Sequence, residues 1–542
     1  DAVIADAQLV PALADPDPAV QAAAVRAATG AQLDHVPGLL AGVPAVATAA
    51  VVVLHRRGSP AQREAAVARM IAMIVDGDVR VRRAGMTAAT EVADPAAIPA
   101  LRSRLADDHD RPRAIRALAA VGEPAVTPLL ASLDERSAPA ALRALGAIGG
   151  DRAVAAILDH LADPDEARRT AACAALAAAT RTRALADPAR AVAACRAELV
   201  RAFTAMAAAE DLGRDESVLA ADGTRAPVPF APGTEEGPAA LISRALRERH
   251  ERAAARAFDL LAAVDPTLEL DVVRTNLREP DPTRRANAVE LLDARTWHYA
   301  IAPLRPLILT LVDESARERK LEAVSGRLEL PRHTRDGWVA VLLDDPNPWI
   351  VACTAYLAGA AGIVAVRAQL DALASSPHAL VAATAREATL RLDHPDRKDP
   401  MLTTVDKILF LKGLELFTQI PGEDLADLAG LTEEVTLDDG ERLFAEHDPG
   451  DALFLVVDGR VRITRGSSTL AELGVREVIG EMALLDPAPR SADATAVGAV
   501  RLLRLGRDDF ANLIAERPEV AAGVLRVLTR RLRAANQGSR VE

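Results

Sequence analysis

The most concentrated chemical content in this 542-residue chain lies in GEMALLDPAPRSADATA, positions 480–496. A Gly-Glu pair leads a short helical turn, an Asp-Pro-Ala-Pro turn follows, and Arg490 then opens a strand-like run. One acceptor, Glu481, and one planar donor fork, Arg490, therefore flank a tight turn. Other candidates for chemistry are poor. Cys173, Cys195 and Cys353 are far apart with no CxxC spacing, and read as reduced, buried and cytosolic. The ten histidines form no HExxH pattern. The Asp-Pro turns lack the alternating carboxylates and Gly of a calcium loop, so capping is the expected role. GAIGGD, from Gly146, has no strand before it and is not expected to cradle phosphate. No metal, cofactor or enzymatic activity is expected.

Half of the residues are hydrophobic but only 2% are aromatic, so the apolar mass is Ala, Leu and Val, side chains of closely packed helices. A formal net charge of −13 argues against a broad nucleic-acid footprint, and no nucleic-acid partner is expected. Val36 to Leu54 carries no charge, yet Pro37, Gly38, Gly42 and Pro44 split it into two short helices, so buried packing is favoured over a membrane span. The chain opens at Asp1 with no basic leader, which reads as a piece of a longer or processed protein.

The elements that must position the 480–496 cassette fall into two regions. Through the first four hundred residues, breaks recur: Asp15-Pro-Asp-Pro, Asp76-Gly-Asp, Asp163-Pro-Asp, Glu279-Pro-Asp-Pro and Asp344-Asp-Pro-Asn-Pro. Where best preserved they lie about 30 residues apart. Val126, Leu129, Leu130 and Leu133 share one helical face, as do Val154, Ile157, Leu158 and Leu161. Asp at such a break can cap the next helix, and Pro at its first position loses no donor. Neither helix of a pair hides its stripe alone, so pairs must stack, and Ala-rich second helices such as EARRTAACAALAAAT let them approach closely.

This pattern resembles the HEAT-like repeat family. The resemblance implies an α-solenoid over 1–208 and 239–400, with the Pro-, Gly- and acid-rich stretch 209–238 as a connecting loop. Trp338 and Trp349 flank an inter-helix turn and read as packing anchors.

From Met401 the character changes. Two helical pieces, LTTVDKILFLKGLELF and PGEDLADLAGLTEEV, precede short runs LFAEH, ALFLVV, RVRIT, ADATAVGAV and RLLRL. Turns at Asp439-Gly440, Pro449-Gly450 and Asp458-Gly459 separate them, which predicts a small antiparallel β-roll closed by a C-terminal helix. The expected class is mainly α, a solenoid followed by an α+β roll over 401–542. GDALFLVVDGRVRI followed by GEMALLDPAPRSA resembles the cyclic-nucleotide-binding domain family. The resemblance implies that Arg490 takes the cyclic phosphate and Glu481 the ribose 2′-OH. Gly480 would let the backbone come close, and the amides around Met482 and Ala483 would add positive charge at a helix start. Ser491 would add a hydroxyl to the phosphate. Ala492 stands where cyclic-GMP binders of the family often carry Thr, so cyclic AMP is favoured over cyclic GMP. Leu525, Leu528 or Thr529 would form the lid. Asp493, where Ser or Thr is common, and Arg476, where a turn Gly is frequent, depart from the pattern.

With few residues after Asn536, no DNA-reading helix-turn-helix is expected to follow. The output is then a protein partner held by the solenoid. The arrangement is similar to the cytosolic tails of bacterial nucleotide-translocase-like or major-facilitator membrane proteins, which implies a cytoplasmic module, at the inner membrane face if such a domain precedes Asp1. A free-standing cytosolic scaffold whose sensor binds nothing is the rival reading. A repeat-containing lyase, related to the phycobilin enzymes, is the third.

Overall fold

The computed structural model describes residues 6–181, 185–221, 237–277, 279, 281–394, 402–414, 417, 420, 422, 425–480 and 489–509. The chain divides into two compact units, one of Asp1–Leu199 and Ala253–Glu314, the other of Val200–Arg252 and Ser315–Glu542.

In the first unit the breaks produce short helix pairs. Helix Val79–Val92 follows Pro60–Ile74, of nearly equal length, and helices Arg111–Val121, Ala138–Ile148 and Glu166–Ala179 each follow a shorter partner. They pack on one another in series, about 30 residues apart, as a stack of repeats requires. The caps are those that the sequence implies. Asp78 accepts from the Arg80 and Val81 N–H groups and Asp165 from that of Arg168, while Pro282 follows its capping Asp281. Val126, Leu129 and Leu133 are buried, as are Ile157 and Leu161 on the second expected stripe. Buried among such helices, the Cys173 thiol is pushed up to about 12, which keeps it protonated and inert.

A ladder of arginines links the pairs. The Arg82 guanidinium donates to the carbonyls of Asp76 (3.1 Å) and Gly77 (2.7 Å), and reaches Asp110 at the next break (2.7 Å). Arg169 repeats this on the Asp163 carbonyl (2.6 Å) and Glu198 (3.0 Å), and Arg285 on the Glu279 carbonyl and Glu314. One side chain thus satisfies helix-end carbonyls and ties successive repeats.

Two helices approach closely at Gly146, where an added Cβ would lie 2.5 Å from the Ala175 Cα on the neighbouring helix. Gly146→Ala is therefore expected to destabilise the chain by about 1–3 kcal/mol through overpacking. Gly326→Ala, which meets nothing within 4 Å, should be near neutral. Urea midpoints of the two variants check this.

Two expectations need correction. The stretch 209–238 is not loop from its start, since helix Ala189–Ala221 continues into it as far as Ala221. EDLGRDESVLAA holds helix formers and a single Gly, and its first strong breaker is Asp222-Gly223. Residues 222–236 lie outside the described residues. Within Val36–Leu54 the chain does split at Gly42 and Pro44, but the first piece is a 3-10 segment, Pro37–Ala41, and only the second, Pro44–Arg57, is an α-helix, buried over most of its length. Among the described residues no helix is long and apolar enough to cross a membrane.

The second unit carries an antiparallel sheet of β1 (Glu433–Leu437), β2 (Arg442–Phe444), β3 (Ala452–Arg465), β4 (Ser468–Leu473), β5 (Val478–Ile479) and β6 (Asp493–Gly506). The order is β1-β6-β3-β4, with β2 also on β6 and β5 on β3. The Asp458-Gly459 turn expected between two strands is a bulge inside β3: the register with β6 shifts there, and Gly459 has φ +83°. A Cβ at 459 would sit 2.4 Å from the Ala499 carbonyl oxygen, so only Gly fits. β1 occupies what reads as the end of a helical piece, TEEV. Ala452, Phe454, Val456, Val461, Ile479, Ala494, Ala496 and Leu502 form the core of the roll.

Candidate functional site

Arg490 enters the roll because the backbone on both sides is pinned. Its N–H donates to the Asp448 carbonyl (2.8 Å), and its own carbonyl accepts from the His447 N–H (2.8 Å). The Asp493 carboxylate accepts from the Glu446 N–H (2.9 Å), and the Asp448 carboxylate from the Ala445 N–H (2.7 Å). These bonds fix the approach to β6, in which Arg490 and Ala492 are buried and Ser491 exposed, and the strand's own alternation then buries Ala494 and Ala496.

Arg490 as a residue is only 5% exposed. Its Nη2 donates to the Ala452 carbonyl (2.7 Å) and its Nη1 to the Gly480 carbonyl (3.5 Å). It stacks 4.3 Å from the Phe444 ring centroid and 5.8 Å from that of Phe454. Among the described residues its Nε has no hydrogen-bond partner. Burial lowers its pKa from the ordinary value, with Asp451 opposing that shift and Arg507 adding to it. This is a buried cation held by carbonyls and π faces, and an anion is the group that would complete it. Gly480 is essential to the arrangement: its φ is +82°, and an added Cβ would lie 2.2 Å from Arg490 Nη1.

Of the residues expected at the site, Gly480 and Arg490 are brought together and Ala492 is buried beside them in sequence. The Ser491 carbonyl is held by Arg465 (3.0 and 2.7 Å). Glu481, Met482 and Ala483, and the lid residues Leu525, Leu528 and Thr529, lie outside the described residues. The two departures have structural roles. Asp493 is committed to the Glu446 backbone, and Arg476 adopts φ +70°, so the turn needs left-handed backbone even without Gly. Phe444 and Phe454 were not singled out by the sequence. Their rarity was the available signal, since the chain has only eight Phe. Among the described residues no group of three or more His, Cys, Asp or Glu side chains is placed to hold a metal ion.

Residues 434–517 match the family described as the cyclic nucleotide-binding domain, so the C-terminal roll carries that domain. Over 137 residues, 24% of this chain, the sequence is 35% identical to a CRP-like cAMP-activated global transcriptional regulator of Mycobacterium tuberculosis, covering 60% of that protein. Over 131 residues, 23% of this chain, it is 39% identical to a cyclic AMP receptor protein of Thermus thermophilus, covering 61% of it. The N-terminal domain of a transcriptional regulator from Streptomyces coelicolor A3(2) is 42% identical over 24% of this chain and 94% of its own, with a TM-score of 0.22. The chain spans about 60% of the length of these two curated relatives.

Proposed function

We propose that the roll senses cyclic AMP, Arg490 holding the cyclic phosphate and Glu481 the ribose 2′-OH, and that the repeats are a protein-interaction scaffold carrying the signal to a partner. The observation that carries this reading is the buried Arg490 guanidinium, which has a free Nε and no carboxylate partner among the described residues. The names of the relatives support cyclic AMP as the ligand. Their role in transcription is not carried over, because a net charge of −13 supplies no broad basic surface for DNA. The module is non-enzymatic and cytoplasmic, and its partner is a membrane transport domain on the resemblance given above. A nucleotide that binds only the native state must raise its stability. Melting of the full chain with cyclic AMP, cyclic GMP and cyclic dinucleotides therefore tests the reading. A clear rise with cyclic AMP supports it; no shift and no calorimetric heat with any of them overturns it.

Selectivity gives a second test. A Thr hydroxyl at 492 can bond a guanine amino group, and one such bond contributes about 0.5–1.5 kcal/mol. Ala492→Thr is expected to raise cyclic-GMP affinity relative to cyclic AMP by about two- to tenfold, read by paired titrations.

A further inference from the structure

Within the second compact unit, one buried carboxylate joins the last repeat helices to the roll. Asp406 is 5% exposed and Tyr356 4%. Asp406 Oδ1 accepts from the Tyr356 hydroxyl (2.5 Å) on helix Pro348–Ala360. Its Oδ2 accepts from the Thr403 N–H (2.9 Å) and hydroxyl (2.6 Å), forming the capping box of helix Thr404–Lys412. Arg391, on helix Ala379–Asp393, lies 3.7 Å from the same oxygen and 5.2 Å from the Tyr356 ring centroid. The group that caps the first helix of the sensor segment thus also receives a phenol from the repeats.

The same helix is fastened to the sheet. Leu402 N–H donates to Glu434 of β1 (2.6 Å), and Lys407 Nζ donates to the Thr432 carbonyl just before β1 (2.7 Å). At its far end a Cβ on Gly413 would touch Arg476 at 3.4 Å. The Arg476 N–H bonds the Val456 carbonyl of β3 (2.9 Å), and β3 supplies the Ala452 carbonyl that holds Arg490. A cavity of about 250 Å³ lined by Tyr356, Thr384, Arg391, Leu402, Thr403 and Thr404 adjoins the capped end. By contrast, a Cβ on Gly359 would meet Ala388 at 2.6 Å in the adjacent helix pair. The polar joint therefore sits where there is room to shift, between parts that are tightly packed.

We propose that helix Thr404–Lys412 is a coupling strut: through Asp406 and its bond to Tyr356, ligand binding in the roll and the packing of helices Pro348–Ala360 and Ala379–Asp393 are linked. The linkage to ligand rests on the cyclic-nucleotide reading. Coupling of this kind is reciprocal. If loosening the joint weakens binding, ligand must protect the repeat helices; if it tightens binding, ligand must expose them.

The test compares the full-length wild type with Tyr356→Phe, which deletes one hydroxyl, and with isosteric Asp406→Asn. Tyr299→Phe, the same change at the other tyrosine of the chain, 79% exposed, is the control. Expected are a cyclic-AMP Kd changed at least threefold in the two joint variants and unchanged in the control. In the wild type, ligand should alter hydrogen exchange in 348–360 and 379–393 with the matching sign. Without ligand, Tyr356→Phe should speed exchange in β1 and β3 as well as in the repeat helices. Kd within twofold, together with ligand-independent exchange in the repeats, overturns the strut. Should the wild type bind no cyclic nucleotide, the ligand reading fails, and the ligand-free arm decides: faster exchange confined to the repeats rejects the strut, and faster exchange in β1 and β3 upholds the mechanical link.

Discussion

Arg490→Ala in the full chain is expected to abolish stabilisation by cyclic AMP at concentrations that saturate the wild type, and to raise Kd by about tenfold or more. A hydrogen bond to a charged group contributes about 1.5–3 kcal/mol. A cyclic phosphate meeting the guanidinium of Arg490, a residue 5% exposed, forfeits at least one such bond when the side chain is removed. Arg490→Lys should not restore it, because a single ammonium cannot both donate to the Ala452 carbonyl and present a fork to an anion. The urea midpoint without ligand separates binding from folding. The lost contacts are carbonyl bonds and two aromatic faces, already weakened by burying a cation whose Nε is unmatched. Ligand-free stability should therefore fall by no more than about 2 kcal/mol. An Arg490→Ala protein that binds cyclic AMP within twofold of the wild type would remove the phosphate role of Arg490.

What was legible in the sequence is what short-range chemistry decides. The Asp caps, the Pro at helix starts and the apolar stripes are local, and the helices Val79–Val92 and Glu166–Ala179 follow from them. The Pro-Arg step ahead of β6 was visible as well, but a pocket role for Arg490 came only from the family resemblance. The rest depends on register. Nothing near Phe444 or Phe454 says that both rings meet one guanidinium; that follows from β2 pairing at Ala494 and β3 pairing at Arg504, on one strand far along the chain. β1 was hidden because Glu433 and Glu434 continue a helical-looking run, and the strand forms only because β6 supplies its partner.

The arginine ladder was illegible for a related reason. Arg82 and Asp110, or Arg169 and Glu198, are a full repeat apart, and their pairing has meaning only once the helices are stacked. The sequence shows the Asp at each break as a cap. The structure adds that an Arg from the second helix takes the carbonyls left open at the end of the first. The breaks at Asp76, Asp163 and Glu279 are therefore satisfied from both sides, which lets short helices persist in a stack although each alone would be marginal.

That ladder culminates in the largest stability effect expected in the chain. Glu198 is 0% exposed and accepts from Arg169 Nε (3.0 Å) and Arg256 Nε (2.8 Å). Arg256, 1% exposed, also reaches Glu166 (2.9 Å) and Thr170 (3.2 Å). Glu198→Ala takes the shared counter-ion from two buried guanidinium groups at once, and breaking a buried pair in this way costs about 3–5 kcal/mol. Glu198→Gln keeps an acceptor without the charge and should fall between the wild type and Ala. Arg256→Met combined with Glu198→Leu and Arg169→Met should recover much of the loss, because well-packed apolar groups of similar size avoid the desolvation cost that the ions carry. Urea unfolding of the series gives the ordering. If Glu198→Ala lowers stability by less than about 1 kcal/mol, the cluster is held by the surrounding helix packing rather than by its charges.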